Sequence, residues 1–332
     1  MLDFLRRLAF KQATISVVMT LAALTSQAQA AWPEEQPIKL IVPFAVGSTT
    51  DAVARIVAPP LSQLLGQNIV IENMPGEAGH TGVEAAIAQK ANGYSLLYTS
   101  NGPLVIRPNA QTNKKRNYPW RDLSPISLVA FTPQALIINR SWGVDQLEGL
   151  IKKVQANPGK FHIGSDGAGS PSAAAASLFM QATNTDLMQV PYSGTQQIMT
   201  ALRDDEVQMA LLEPGAMIEP LAPNQFMVLA MTSTIQTGLN KAPTLEAIPS
   251  FTALGYATLD MQVWHAILTP AGTPTRIVNQ INQAIQAVLA DPVVRQKMEA
   301  LYFTPQGSTA FMLSKRIELE SAQWRRKLKA LP

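Results

Sequence analysis

The sequence predicts an α/β protein built on an open, mostly parallel sheet. Short runs rich in Ile, Val and Leu alternate with longer helical stretches, and several runs lead straight into loops of Gly, Ser and Thr. Composition supports the same class. Of the 332 residues 47% are hydrophobic and 15% charged, against about 25% charged in an average domain. That excludes disorder as the chain's main character, and the length suffices for two domains.

The elements follow in order. Residues 38–43 (IKLIVP), 68–71, 94–99 and 126–131 read as strands, with helices over 50–65 and 82–90 between them. Pro59-Pro60 should kink or break the first helix, and Gly66 is a C-cap. A second series starts with a strand at 135–139. Asp145 then opens a helix through a capping box with Glu148, which stops near Asn157-Pro158-Gly159. Strands at 161–165, 187–190, 207–212 and 226–231 enclose helices at 172–182 and 195–204. Residues 232–254 are polar and turn-rich, 262–268 form a strand, and 273–290, 292–301 and 308–331 are helical.

Residues 1–30 read as a cleavable signal peptide. Arg6, Arg7 and Lys11 precede an apolar run from Ala13 to Leu24, and Ala28-Gln29-Ala30 supplies the cleavage site. The run falls short of the roughly 20 apolar residues of a membrane span. Cleavage leaves 23 of the 26 bases and 22 of the 23 acids, so the exported chain is nearly neutral and is expected in the periplasm. No Lys/Arg-rich block argues for nucleic acid. The absence of cysteine excludes disulfides, thiol nucleophiles and Cys-ligated metal.

No catalytic constellation stands out, and the chain does not read as an enzyme. His80, His162 and His265 fall in separate segments without metal spacing, and no GxSxG elbow surrounds a serine. Asp204-Asp205-Glu206 is a solvated turn. Glu213 and Glu219, near Pro214, are placed to face a cleft, with nothing setting them against a nucleophile. No metal or cofactor is expected.

Three loops have the chemistry of a binding site. In residues 44–51 (FAVGSTTD), Gly47 permits close backbone approach and a helix start favours an anion, although the loop alone reads as a polar cap by Thr50 or Asp51. Residues 164–172 (GSDGAGSPS) combine three glycines and three serines before Pro171, which suits a backbone nest for a carboxylate or phosphate. In residues 190–195 (VPYSGT), Tyr192 offers a ring face and a hydroxyl, and reads equally as a core tyrosine. Anion-friendly loops in both halves of the chain imply a ligand held between two lobes.

These loops, in this order, resemble the Bug family of periplasmic solute-binding receptors, the substrate-binding component of tripartite tricarboxylate transporters. The resemblance runs from Trp32-Pro33 to about Trp324. It is carried by PIKLIVPFAVGSTTDAVAR (37–55), LGQNIVIENMPGEAGHTG (65–82), NGYSLLYTS (92–100), NPGKFHIGSDGAGS (157–170), VPYSG (190–194) and LTPAGTP (268–274). It implies a two-lobed, type II Venus-flytrap fold with two crossover strands. Lobe I would hold residues 31–131 and 262–332, and lobe II residues 132–261. It further implies one jaw from Phe44, Gly47, Ser48, Thr50 and Asp51 with Thr99 and Ser100 nearby, and another from Ser165, Gly167, Gly169, Ser170, Tyr192 and Thr195. The implied partners are a small organic acid and membrane subunits of such a transporter, the chain acting as a monomer. A membrane sensor is the alternative partner, and a secreted enzyme on the same fold the remoter reading. Ser48, Met74, Glu77, Ala173 and Ser193 depart from the family pattern and remove positive or polar character near the cleft. They point to a ligand whose distal end is less acidic, or more apolar, than a tricarboxylate.

Overall fold

A computed structural model describes residues 32–110, 118–217, 225–234, 245 and 247–329. The signal peptide and Glu219 lie outside the described residues. Eleven strands among them form two sheets: β1 Ile38–Val42, β2 Ile69–Asn73, β3 Ser95–Ser100, β4 Leu123–Thr132, β5 Ala135–Asn139, β6 His162–Ser165, β7 Met188–Pro191, β8 Met209–Leu212, β9 Phe226–Met231, β10 Val263–Pro270 and β11 Thr304–Pro305. The first sheet has the order β11-β4-β10-β3-β1-β2 and the second β7-β6-β8-β5-β9.

Both sheets are mixed, which corrects the expectation of a mostly parallel sheet. β1 runs parallel to β2 and β3, and β6 parallel to β7 and β8. β10 is antiparallel to β3 and β4, and β5 antiparallel to β8 and β9. The cause is the route of the chain. It leaves the first sheet at Pro133-Gln134 and returns after β9, so β5 and β10 enter their sheets against the local direction. The two crossings lie side by side: Gln134 N–H donates to Thr232 Oγ1 and Thr232 N–H to the Gln134 carbonyl, each at 2.8 Å.

Helices cover the sheets. α1 (Thr49–Leu65) begins at the N-cap Ser48, whose Oγ accepts from Asp51 N–H, and ends at Gly66 in the left-handed region. It continues through Pro59 and Pro60, contrary to the expected break. Two prolines cost about 3 kcal/mol each in a helix interior. Val53, Val57, Leu61 and Leu65 form one buried stripe on both sides of them. Burying such side chains yields about 1.5–3 kcal/mol each, enough to hold the helix together.

α2 (His80–Ile87) precedes β3, and a π-helix at Gly102–Ile106 follows it, leading into the helical turn Arg107–Ala110. α3 (Leu147–Gln155) has Gln146 as its N-cap and no side-chain cap bond, so the predicted Asp145–Glu148 box does not form. The buried stripe of Leu147, Leu150, Ile151 and Val154 sets its start, and Glu148 pairs instead with Lys152 at 2.8 Å. α4 (Pro171–Thr183), α5 (Thr195–Arg203), α6 (Thr275–Ala290), α7 (Pro292–Ala300) and α8 (Ala310–Lys329) match the predicted helices within a few residues. No helix among the described residues is long and apolar enough to cross a membrane.

One apolar cluster packs α1, α6 and α7 on the first sheet, and another packs α5 on the second. A third runs between the sheets, joining Leu97, Leu104 and Trp264 to Phe179 and Phe251. The lobes thus share a core behind the mouth formed by the strand ends.

Candidate functional site

The β1–α1 loop is held from below by Asp51, which is 2% exposed. Its Oδ2 accepts from Gly47 N–H and Arg55 Nε, both at 2.9 Å, and its Oδ1 from Asn73 Nδ2 at 2.9 Å. Arg55, Gly47 and Asn73 together outweigh burial and keep the carboxyl below its ordinary range. Asp51 therefore positions the loop and has its acceptors occupied. Gly47 adopts φ +81°, which lets the chain turn into Ser48 and present Thr49 and Thr50 at the first helical positions, where amides have no intrahelical acceptor. Phe44 packs beside Gly79, where an added Cβ would lie 3.1 Å from its Cζ.

Opposite stands the β6–α4 loop. Ser170 caps α4 by accepting from Ala173 N–H at 3.1 Å, and Pro171 takes the first helical position. Ser172 Oγ accepts from Asp166 N–H and donates to Asp166 Oδ2, both at 2.9 Å. Gly169, at φ +83°, lies so close to the first lobe that an added Cβ would be 2.8 Å from Arg107 Cα. Gly102 makes the reciprocal approach to Pro171, with 2.8 Å to its Cδ. The loop is thus a packed shelf against the first lobe, tighter than the open nest the sequence suggests.

Asp166 belongs to this shelf, and Glu213 stands near it. β6 and β8 are parallel neighbours with Ile163 opposite Met209 and Gly164 opposite Ala210. That register carries both acids to the carboxyl ends of adjacent strands, where α/β sheets bind ligands. Thr195, the first residue of α5, hydrogen-bonds the Asp166 carboxylate. Burial first, and then the charge of Glu213, push that carboxyl up to about 6 against the pull of Ser172 and Thr195.

Glu213 reaches across the cleft. Its Oε2 accepts from the Thr49 hydroxyl, and its Oε1 lies 3.5 Å from Nε2 of His265 on β10. His265 is fully buried, and its Nδ1 lies 3.1 Å from the Tyr98 hydroxyl. Burial and, secondarily, Glu213 hold the Tyr98 phenol well above its ordinary range, so it stays protonated. A polar chain therefore runs from Tyr98 through His265 and Glu213 to Thr49.

Of the candidate residues, the structure brings Ser48 and Thr50 to one jaw and Ser165, Gly167, Ser170 and Thr195 to the other. Thr99 and Ser100, 0% and 2% exposed, end β3 behind them, and Thr99 Oγ1 has no hydrogen-bond partner. Tyr192 is half-buried: its ring packs on the α5 cluster and its hydroxyl bonds Glu206. Thr49, Asp166, His265 and Tyr98 were missed as site residues. Their signal was positional: Asp166 follows a strand directly, but a lone acid among small residues reads as a turn.

Two sheets joined by paired crossings, with polar loops opposed at their mouth, define a two-lobed periplasmic binding protein. The chain belongs to the tripartite tricarboxylate transporter family of receptors, whose family model matches residues 53–332. It is 28% identical over 297 residues to protein BugT of Bordetella pertussis, covering 88% of each chain. Among solved structures it is similar to the periplasmic binding protein BugD, with 27% identity, TM-score 0.80, and coverage of 89% of this chain and 97% of that one. It is also similar to Rpa4515 of R. palustris, solved with adipate, at 27% identity and TM-score 0.81, covering 90% and 97%. Members of this family are solute-binding receptors, so the chain is a receptor and not an enzyme.

Proposed function

We propose that the chain is exported by its N-terminal leader and captures a small organic acid between the lobes. It then delivers the acid to membrane subunits of a tripartite tricarboxylate-type transporter. Lobe I comprises residues 31–131 and 262–332, and lobe II residues 132–261. The observation that carries the reading is the placement of two helix-start loops, 44–51 and 164–172, at the strand ends, with Thr49 of the first bonded to Glu213 after β8, the strand beside β6. Ser48, Thr50, Ser165, Ser170 and Thr195 supply hydroxyls, and the amides at the start of α1 favour a carboxylate. The adipate bound by the relative Rpa4515 supports the ligand class. Closure by hinge motion would present the loaded form to the transporter.

The test is a thermal-shift survey of residues 31–332 against organic acids, amino acids, sugars and phosphates. An acid at 100 times its dissociation constant should add about 2.7 kcal/mol of stability. A response to sugars or phosphates with none to any acid would overturn the reading.

A further inference from the structure

We propose that the outer face of α8 rests on an anionic lipid surface and holds the exported chain against a membrane. The inference is independent of what the cleft binds, since none of the jaw residues lies on this helix. Three observations support it.

The first is periodicity. On one side α8 buries Leu313, Ile317, Ser321 and Trp324, at the three- and four-residue spacing of a single helix face. Phe311, Lys315, Leu319, Ala322, Arg326 and Lys329 repeat that spacing on the opposite side, and all six are exposed. Phe311 is 67% exposed, Leu319 66% and the adjoining Met312 59%. The fold thus leaves three large apolar side chains uncovered among bases on one helix.

The second is charge. The helix holds six of the exported chain's 23 bases and two of its 22 acids, so the remainder of that chain is net acidic. Lys315 pairs with Glu318 at 2.8 Å, and Arg325 donates to the Tyr118 hydroxyl at 2.7 Å. Among the described residues Arg326 and Lys329 form no ion pair. Bases in a last turn complement the helix carbonyls. That role leaves the exposed apolar residues unexplained.

The third is how the helix is seated. It packs on β4 and the π-helix of the first lobe, so lobe closure leaves its outer face as it is. A transporter subunit that reads loading needs a surface that closure alters. A second copy would bring like charges together. An anionic bilayer fits both characters of the face: lipid phosphates take the bases while Phe311, Met312 and Leu319 sink among the headgroups. No described helix is long and apolar enough to cross a bilayer, so the contact is peripheral.

The test is flotation of residues 31–332 with vesicles of phosphatidylcholine, alone or carrying about one-third phosphatidylglycerol, at low and high salt. The bound fraction should be at least tenfold larger with the anionic lipid and fall at least fivefold in high salt. The charge-reversed variant Lys315→Glu, Arg326→Glu, Lys329→Glu and the polar variant Phe311→Ser, Leu319→Ser should each lower it fivefold or more. Circular dichroism checks their folding. Val293→Ser, which removes a comparably exposed apolar side chain from α7, should leave binding unchanged. The inference is overturned if the anionic lipid makes no difference, if either α8 variant binds like the wild type, or if Val293→Ser weakens binding as much. Vesicles left unbound, with the α8 substitutions abolishing transporter-dependent uptake in cells, would assign the face to a membrane protein and likewise overturn it.

Discussion

Asp166→Asn should stabilise the empty protein at neutral pH. In the folded chain the Asp166 carboxyl titrates near 6, raised from 3.8 by burial and by Glu213. Between these values the folded state holds a proton that the unfolded state has released. Stability therefore falls as pH rises through the window from about 4 to 6, and the full penalty is present above it. A shift of about two units corresponds to about 3 kcal/mol. The amide removes the charge yet still accepts from Ser172. At pH 7.5 the variant should gain up to about 3 kcal/mol, roughly 5 °C in Tm for a chain of this length. At pH 4 most of that gain should be gone, because the folded carboxyl is then protonated and the unfolded one has released its proton only in part. The assay is calorimetry of both proteins from pH 4 to 8 without ligand. Acids distant from Asp166 titrate equally in both, so the difference reports Asp166 and its repulsion with Glu213. A gain independent of pH, or no gain at pH 7.5, refutes the account of buried, mutually repelling acids.

Two further expectations concern the jaws. Asp51→Ala removes the acceptor of Gly47, Arg55 and Asn73 together, and should cost about 3 kcal/mol in urea unfolding with a weaker response to every acid. Gly169→Ala forces a Cβ against the Arg107 backbone at a positive φ, so the β6–α4 shelf must lift away. Scattering of the acid-saturated variant should show a larger radius of gyration than the saturated wild type; an unchanged radius would deny that the shelf limits closure.

Local structure was largely legible in the sequence, and long-range structure was not. β5 and β9 begin and end where their apolar runs do, because a fully buried strand has few other readings. Pro171 announced the start of α4, because proline suits the first helical position. Sheet membership was hidden, since the direction of β10 depends on a chain that has visited the other sheet first. The continuous α1 was hidden for a related reason: local rules see two prolines, whereas the buried stripe that overrides them is a tertiary fact. At the site, the loops were visible as Gly, Ser and Thr, but the roles of their acids were not. Asp51 sits in the first turn of α1 and Asp166 directly after β6; Gly47, Arg55 and the more distant Asn73 make the first a loop anchor, while the second takes Ser172 and Thr195 as partners beside Glu213.

The paired crossings at Gln134 and Thr232 have a consequence for how such receptors diversify. Entry to and exit from the second sheet sit side by side, so the intervening chain is a cassette plugged into its host at one point. A recombination event with only two junctions would exchange the β6–α4 shelf, Asp166 and Glu213 as a block, leaving the β1–α1 loop untouched. Ligand choice can then be inherited in halves: one coding segment sets the end that grips a carboxylate, and the inserted segment sets what lies at the other end.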